Sequence, residues 1–366
     1  MNLKGENAAE VSFISSSVID GRNDIVRADR TTVISAITPA YGIANEVTAD
    51  GTAWSLYRAS EYDEVSLVGD VLSDMAGSVY TSNVYLDTLN QRMGEARYVS
   101  DDDSGVWGRV RHDFLQQDNF ETAKTMAQVG ITQKNELANG DFYIGATFDY
   151  MEADSDYDRM NADSEQKRYG LWFTATYLGD SGTYADFVLK YGHLENDNTF
   201  NDLAGIGQDL SADYDNEMIS FSAEFGHKFM SESGWFIEPQ LQAQYTYITD
   251  VSYTAESGTA VDIDGIDCLI GRVGFRAGRS LNDTSLTFYM RGDLMHEFLG
   301  DIDMTFRELN SSLKVSDDND DTYGSVGIGV SLMSTENSSL FFEADTIFGG
   351  DYEESYLVSM GGRYLF

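Results

Sequence analysis

The order of apolar and polar residues divides the chain into regions with different periods. From Gly105 to Phe366 the period is two almost without a break, so that between Phe142 and Tyr150 every second residue is apolar. Such alternation predicts half-buried β-strands. We find twelve segments with this pattern: Val106–Phe114, Ala127–Ile131, Phe142–Tyr150, Tyr169–Tyr177, Ala185–Tyr191, Ile219–Phe225, Trp235–Tyr245, Leu269–Ala277, Leu286–Phe298, Val326–Leu332, Leu340–Ala344 and Tyr356–Phe366.

The apolar rows and the connections between them favour a transmembrane β-barrel. Several rows carry aromatic residues at both ends, as in Trp235–Tyr245, which is typical of strands that cross two membrane interfaces. Tight turns such as 138–141 alternate with long acidic loops, which we place at 153–166, 196–215 and 300–322. A soluble β-sandwich also alternates, but it does not need short turns on one side and long loops on the other. We therefore predict an all-β fold, an antiparallel transmembrane barrel of about twelve strands.

A helical period precedes the strands, between Glu61 and Arg97. Its apolar residues recur at steps of three, four or seven: Val65, Val68, Leu72, Met75, Val79, Leu86 and Met93. A helix from Ala76 to Arg97 would be about 33 Å long, close to the roughly 30 Å of a bilayer's hydrocarbon core. Because its other faces are polar, it suits a polar lumen and not lipid. The pattern predicts an N-terminal α-helix inside the barrel.

Composition excludes several classes of function. The net charge of −39 argues against a nucleic-acid partner, because phosphate is bound through clustered Lys and Arg. Cys268 is the sole cysteine, so it has no disulfide or zinc partner. No Gly-x-Ser-x-Gly motif is present, and no two of the four His lie at metal-ligand spacing. We predict no catalytic, metal or cofactor residues and no enzymatic activity.

The start of the chain lacks the apolar core of a secretory signal, which runs to about 7 to 15 residues. Since an outer-membrane protein must be exported, we expect this chain to be a fragment of a longer one, or to lack its signal.

Charged residues at inward positions of the period-two pattern are the candidate lumen groups. Opposite charges there pair with each other and with water, or they hold the helix, with Arg92, Glu95 and Arg97 as its candidate partners. The lumen-facing residues that we predict are Arg109, Arg111, Glu224, Glu238, Arg272, Arg276, Arg291, Glu297, Glu343 and Arg363.

The barrel segment resembles the translocator barrel of autotransporters, the type V secretion proteins. The segments that carry the likeness are Val106–Arg109, Trp235–Gln242, Gly271–Arg276, Met295–Phe298 and Gly362–Phe366. The helical segment just before the first strand is similar to the family's pore-spanning helix. Its candidate residues are Leu86, Asp87, Leu89, Asn90, Arg92, Met93, Gly94, Glu95 and Arg97.

The resemblance implies a division of the chain and an assembly route. Residues 1–60 would be the C-terminal remnant of a passenger or a linker, 61–103 a linker and the pore helix, and 104–366 the barrel. The barrel-assembly machinery of the outer membrane recognises a last strand that ends in an aromatic residue. The residues of this chain that match that signal are Tyr356, Val358, Met360, Tyr364 and Phe366.

Some members of the family cleave themselves at an asparagine pair on the pore helix. In this chain those two positions hold Asp87 and Thr88, so self-cleavage by that route is not expected.

Two functions from different classes stay open on the sequence. The first is a translocator and anchor in the bacterial outer membrane, monomeric, with outer-membrane lipid, the barrel-assembly machinery and its own surface-exposed passenger as partners and with no nucleic acid. The second is a plugged diffusion channel or a structural surface barrel. The amphipathic helix ahead of the first strand favours the translocator, because a simple porin does not need it.

Overall fold

The computed structural model describes residues 25–27, 35–38, 40–48, 51–58, 64–93, 104–201, 209–281, 286–308, 311–335 and 337–366. Twelve long strands dominate it. They are β1 (Ser104–Gln116), β2 (Phe120–Leu137), β3 (Gly140–Tyr157), β4 (Ala162–Gly179), β5 (Thr183–Phe200), β6 (Tyr214–His227), β7 (Trp235–Ile248), β8 (Ile266–Leu281), β9 (Leu286–Glu297), β10 (Thr322–Thr335), β11 (Ser338–Gly349) and β12 (Tyr352–Leu365).

These strands form a closed antiparallel barrel. Each pairs with its neighbours in chain order, and β12 pairs with β1 from Tyr356 opposite Phe114 to Leu365 opposite Gly105. Side chains alternate across each strand. Outward side chains such as Val129 and Ile328 are more than half exposed, while polar side chains fill the interior. Among the twelve described strands, closure leaves the barrel without an edge strand. The prediction of a twelve-stranded antiparallel barrel is confirmed.

The two ends of the barrel differ in their connections. At one end the turns are short, as at 138–139 and 180–182. Gly182 and Gly234 lie in such turns with φ of +93° and +82°, and a Cβ on Gly234 would lie 2.2 Å from the carbonyl oxygen of Ser280. At the other end run the connections 201–213, 249–265 and 298–321. Because outer-membrane barrels have short periplasmic turns and longer extracellular loops, the second end is the extracellular one.

Parts of the predicted acidic loops are strands. β3 continues to Tyr157 and β4 begins at Ala162, so the connection is only 158–161 and not 153–166. Within 300–322, the strands Ile302–Glu308 and Ser311–Asp317 join Val251–Thr254 and Ala260–Ile263 in a four-stranded extracellular sheet. At 153–166 the loop prediction was wrong because polar residues on both faces hide strands that extend beyond the membrane. At 300–322 it was wrong although Ile302, Met304 and Phe306 alternate with polar residues.

The helical segment is interrupted. Helix α1 spans Leu67–Asn83, with the Ser66 hydroxyl accepting a hydrogen bond from the Gly69 amide at 3.1 Å, and helix α2 spans Leu89–Met93. Residues 84–88 are not helical, so the prediction of one continuous helix was wrong there. No helix in the described part of the chain is long and apolar enough to cross a membrane by itself.

Short strands complete the described fold. Ile25–Arg27, Ala40–Thr48 and Gly51–Arg58 form a three-stranded antiparallel sheet, and Ile37–Thr38 pairs with Glu64–Val65. Leu210–Ser211 pairs with β5 and Phe229–Met230 with β7, which extends the barrel wall at either end.

Candidate functional site: the chain inside the barrel lumen

Residues 67–93, which we call the lumen segment, run through the barrel from its extracellular end to its periplasmic end. Near the start of α1, Asp70 lies 3.6 Å from Arg159 of the extracellular turn 158–161. In α2, Leu89 packs with Tyr143 and Leu178, which lie beside the short periplasmic turns. The lumen segment therefore runs inward from the extracellular end to the periplasmic end, at which β1 also begins.

The extracellular sheet binds the chain just outside the lumen. The Ala36 amide donates to Glu308 at 2.8 Å, and the hydroxyl of Ser35 also donates to this carboxylate. The Ala36 carbonyl in turn accepts from the Ser66 amide at 2.9 Å. A Cβ on Gly69 would lie 2.5 Å from that carbonyl oxygen, so the close approach requires glycine here. These contacts fix the point at which the chain enters the lumen.

Helix α1 packs by its apolar side and bonds by its polar side. Val71 and Leu72 belong to a core cluster that includes Phe306 of the extracellular sheet. On the polar side the Ser78 hydroxyl lies 2.8 Å from the Tyr157 hydroxyl and accepts from the Gln166 amide group at 2.9 Å. Through Ser78 the polar side of the helix is thus hydrogen-bonded to the barrel wall.

The wall supplies partners for the non-helical residues 84–88. A segment outside helix and sheet cannot pair its own backbone groups, and unpaired buried groups are costly. Gln244 donates to the Tyr85 carbonyl at 2.9 Å, and Gln242 donates to the Asp87 carbonyl at 3.1 Å. Lys124 donates to the Ser82 carbonyl at 3.1 Å, at the end of α1. These bonds stabilise the break in the helix.

Four cations surround the ring of Tyr85. Arg111, Lys124, Arg168 and Lys190 lie 4.4 to 5.4 Å from its centroid, within the range of cation–π attraction. Arg168 also donates to the Tyr85 hydroxyl at 2.8 Å. Cations from four strands, β1, β2, β4 and β5, converge on one side chain of the break.

Asp87 forms the principal ion pairs of the break. Its carboxylate accepts from Arg109 at 2.8 Å and from Arg111 at 2.9 Å, and all three side chains are buried. Arg111 is also paired with Asp113 at 2.7 Å, and Arg109 donates to Gln128. Removing Asp87 would therefore leave two buried guanidinium groups with fewer partners.

Helix α2 is held at its N-terminus. The Thr88 amide donates to the Gln91 side chain at 3.1 Å, and the Gln91 amide donates to the Thr88 hydroxyl at 3.2 Å, which is a capping box. The Leu89 amide donates to Glu224 at 2.7 Å, where a carboxylate also complements the helix dipole. These bonds orient the short helix against the wall.

Two side chains of α2 bind acids of the wall. Asn90 donates to Glu238 at 3.1 Å, and Arg92 pairs with Asp186 at 2.8 Å. Within the described ranges, no three His, Cys, Asp or Glu side chains are grouped so that they could hold a metal ion. The arrangement binds a peptide segment.

The structure buries all ten predicted lumen residues, none of them more than 6% exposed. Four contact the lumen segment: Arg109, Arg111, Glu224 and Glu238. Arg272, Arg276, Arg291 and Glu343 pair with charges of the wall, Glu297 accepts from Cys268, and Arg363 lies 5.6 Å from the ring centroid of Tyr143.

The predicted pore-helix residues are divided. Leu86 and Asp87 lie in the break, not in a helix, because the wall satisfies the carbonyls of Tyr85 and Asp87. Leu89, Asn90, Arg92 and Met93 lie in α2. Gly94, Glu95 and Arg97 lie outside the described residues.

The predicted assembly residues share the outward face of the last strand. Tyr356, Met360, Tyr364 and Phe366 are exposed and Val358 is half-buried.

Sequence reasoning missed several residues that bind the lumen segment. Asp186 and Lys190 alternate with the apolar row of β5, so their inward position was readable from the period of two. The same signal applies to Gln242 and Gln244 on β7. The role of Tyr85 had no such signal, because its partners come from strands distant in sequence.

Comparison with known protein families decides between the two functions that the sequence left open, a translocator and a channel or structural barrel. The model described as autotransporter beta-domain matches residues 106–345, which is more than half of the chain. The chain belongs to the autotransporter β-domain family. The resemblance stated from the sequence is confirmed, and this autotransporter barrel is an outer-membrane translocator domain.

Relatives and solved structures agree with this assignment. The chain is 27% identical over 342 residues to the serine protease EspC of Escherichia coli O127:H6, and 26% identical over 339 residues to the SepA autotransporter of Shigella flexneri. These alignments cover 91% of this chain but only 25% and 24% of the relatives, so the chain spans about a quarter of their length.

Solved barrels share the fold. The β-domain of the Bordetella autotransporter BrkA matches with a TM-score of 0.63 and 22% identity, over 72% of this chain and all of that one. The translocator domain of NalP from Neisseria meningitidis matches with a TM-score of 0.56 and 12% identity, over 82% of this chain and 96% of that one. At these identities the likeness concerns the fold alone.

Proposed function

We propose that this autotransporter barrel exports the polypeptide N-terminal to α1 and then displays it at the cell surface. The observation that carries the proposal is the direction of the lumen segment. Because α1 begins at the extracellular end and β1 begins at the periplasmic end, the chain enters the lumen from outside the membrane. A pore that only conducts solutes does not need its N-terminal chain on that side.

After export, the lumen segment closes the pore. Its backbone and side chains bind Gln, Arg and acidic groups of the wall, and its apolar residues bury against the extracellular sheet. The same polar wall suits a translocating polypeptide, since the Gln242 and Gln244 amides recognise backbone carbonyls and not a particular sequence.

The passenger stays attached to the barrel. At the positions where some family members carry a cleaved asparagine pair, this chain has Asp87 and Thr88. The Asp87 carboxylate is occupied by Arg109 and Arg111, and the Thr88 hydroxyl caps α2. We assign no catalytic, cofactor or metal chemistry to the barrel, and the protease names of the relatives belong to those proteins as wholes.

The division of the chain follows from this proposal. Residues 1–60 form the passenger remnant or linker, 61–103 the linker and pore segment, and 104–366 the barrel. Its partners are outer-membrane lipid, on the exposed apolar face, and the barrel-assembly machinery, which would read the outward row of β12 that ends at Phe366. The barrel functions as a monomer and binds no nucleic acid.

Surface display tests the proposal. A signal peptide and an epitope tag are placed ahead of Asn2, and intact cells of an outer-membrane host are probed with antibody and protease. We expect labelling and shaving of the tag without permeabilisation. A matched control carries the tag in the periplasmic turn after Asp180, where it should be reached only in permeabilised cells.

A tag ahead of Asn2 that is reached only after permeabilisation, with the barrel inserted, would contradict the translocator and favour a channel or structural barrel. A fragment of barrel size, separate from the tag, would contradict the attached passenger alone.

A further inference from the structure

The lipid-facing wall carries a cation at its periplasmic end. A row of outward side chains crosses β7 to β11 in direct register and consists of Trp235, Arg279, Phe288, Val330 and Phe342. Four of these are apolar or aromatic, as expected where a barrel meets lipid. Arg279 is the exception and needs an explanation.

Arg279 has no acidic partner among the described residues. Its guanidinium lies 5.5 Å from the ring centroid of Trp235, and its Nε is buried without a hydrogen-bond partner. Lys167, an outward cation of β4 near the extracellular end, is by contrast paired with Glu165. Arg279 therefore presents donors that nothing in the described chain satisfies.

The level of Arg279 suits a headgroup. It lies two residues before the end of β8 at Leu281, or roughly 7 Å along the strand. Trp side chains gather at the headgroup level, and a long Arg side chain extends its charge toward that level. The cation is thus placed where the phosphates of the inner leaflet lie, and not in the hydrocarbon.

An apolar crevice adjoins the cation. It has a volume of about 410 Å³, within the roughly 300 to 1,000 Å³ typical of small-molecule sites. Its lining includes Trp235, Ala277, Phe288, Ile328 and Phe342, and the small Ala277 lies directly opposite Met290 in register. The crevice opens on the membrane side, so a hydrocarbon chain can fill it.

We propose that this site binds one glycerophospholipid of the inner leaflet. Arg279 donates to the phosphate, for which a guanidinium offers two parallel donors, and one acyl chain lies in the crevice beside Ala277. Anionic headgroups bind more tightly than zwitterionic ones, because no ammonium group competes for the phosphate. The site is separate from the lumen and is independent of passenger export.

Native mass spectrometry of the delipidated full chain, titrated with phosphatidylglycerol, tests the site. We expect one lipid to bind with an affinity that falls at least about tenfold in Arg279→Gln, since a charge-assisted bond is lost, and that partly recovers in Arg279→Lys. Ala277→Leu should also weaken binding, because it fills the crevice and leaves the charge in place. Lys167→Gln is the matched control and should bind as the unchanged protein does.

A second readout locates the acyl chain. Trp235 faces the crevice, whereas Trp107 and Trp172 are buried inside the barrel. Phosphatidylglycerol with brominated chains, present as a minor component of phosphatidylcholine vesicles, should quench Trp235 more in the unchanged protein than in Arg279→Gln. Equal binding and quenching in both would overturn the proposal, as would an equal loss in Lys167→Gln. Self-association that Arg279→Gln abolishes would replace the lipid by a second copy of the chain.

Discussion

The ion pairs of Asp87 predict how firmly the lumen segment is held. Asp87→Asn keeps the shape of the side chain but removes the charge that faces Arg109 and Arg111 at 2.8 and 2.9 Å. Breaking a buried ion pair costs about 3 to 5 kcal/mol. Arg111 keeps Asp113, and Arg109 keeps Gln128, so we expect the lower end, about 3 kcal/mol. That corresponds to a rise of roughly a hundredfold in the undocked population.

The undocked population is measurable through a buried reporter. Ser82 is fully buried and its hydroxyl makes no hydrogen bond, so Ser82→Cys is a mild change. A bulky maleimide should react with this cysteine only when the segment leaves the wall. In Asp87→Asn the reaction should be about a hundredfold faster, while Cys268, measured in the parent chain, sets the background.

Glu136→Gln is the control variant for this labelling measurement. Glu136 is an exposed acid that lies 3.9 Å from Lys134 and outside the lumen segment's contacts, so Glu136→Gln should leave the labelling rate unchanged. If Asp87→Asn labels within a factor of about three of the parent, the ion pairs do not hold the segment and the reasoning from buried charge is refuted.

Three further predictions concern the ends of the lumen segment. Glu308→Ala removes the acceptor for the Ala36 amide. The local stability at Ala36 should fall by about 1 to 3 kcal/mol, which is measured as faster hydrogen exchange at its amide. Unchanged exchange would show that Glu308 does not hold this part of the chain. Thr88→Ala breaks the capping box and should destabilise α2 by about 0.5 to 2 kcal/mol, which is measured as faster exchange at the Gln91 amide. The control variant Thr125→Ala should leave that exchange rate unchanged. Burial and the carboxylates of Asp321, Asp118 and Asp317 raise the pKa of Asp351. The folded state therefore binds the proton more tightly than the unfolded one, so the stability of this turn is full in acid and falls as pH rises through the raised pKa. The protection factor of the turn amides, which corrects for the intrinsic pH dependence of exchange, should be higher at pH 4 than at pH 7, and Asp351→Asn should flatten that dependence.

The barrel could be predicted from the sequence because each strand faces two different environments. Lipid outside and a polar lumen inside impose a period of two on every membrane-crossing residue, and this pattern does not depend on which strands are neighbours. The inward charges such as Arg109 and Glu224 followed from the same pattern. Strand extensions beyond the membrane were missed, because at 153–157 and 162–166 both faces are largely polar and the period disappears.

The break in the helix was not readable in the same way. The apolar residues of the segment continue at helical spacing through Leu86, so the local pattern predicts a helix across 84–88. What overrides it is tertiary: Gln242, Gln244 and Lys124 pair with its carbonyls, and cations of four strands surround Tyr85. These partners are brought together only by the closed barrel and are distant from the segment in sequence.

The short connection between α2 and β1 makes the lumen segment a tethered ligand of its own barrel. Residues 94–103 can extend by at most roughly 35 Å, so a released α2 still samples a volume of molecular size around its binding site. A tether of this length gives a released α2 an effective concentration in the millimolar range at its binding site on the wall. Each wall contact therefore needs only modest affinity, and the segment returns after every excursion. Lasting loss of closure requires cutting the tether or losing several contacts together.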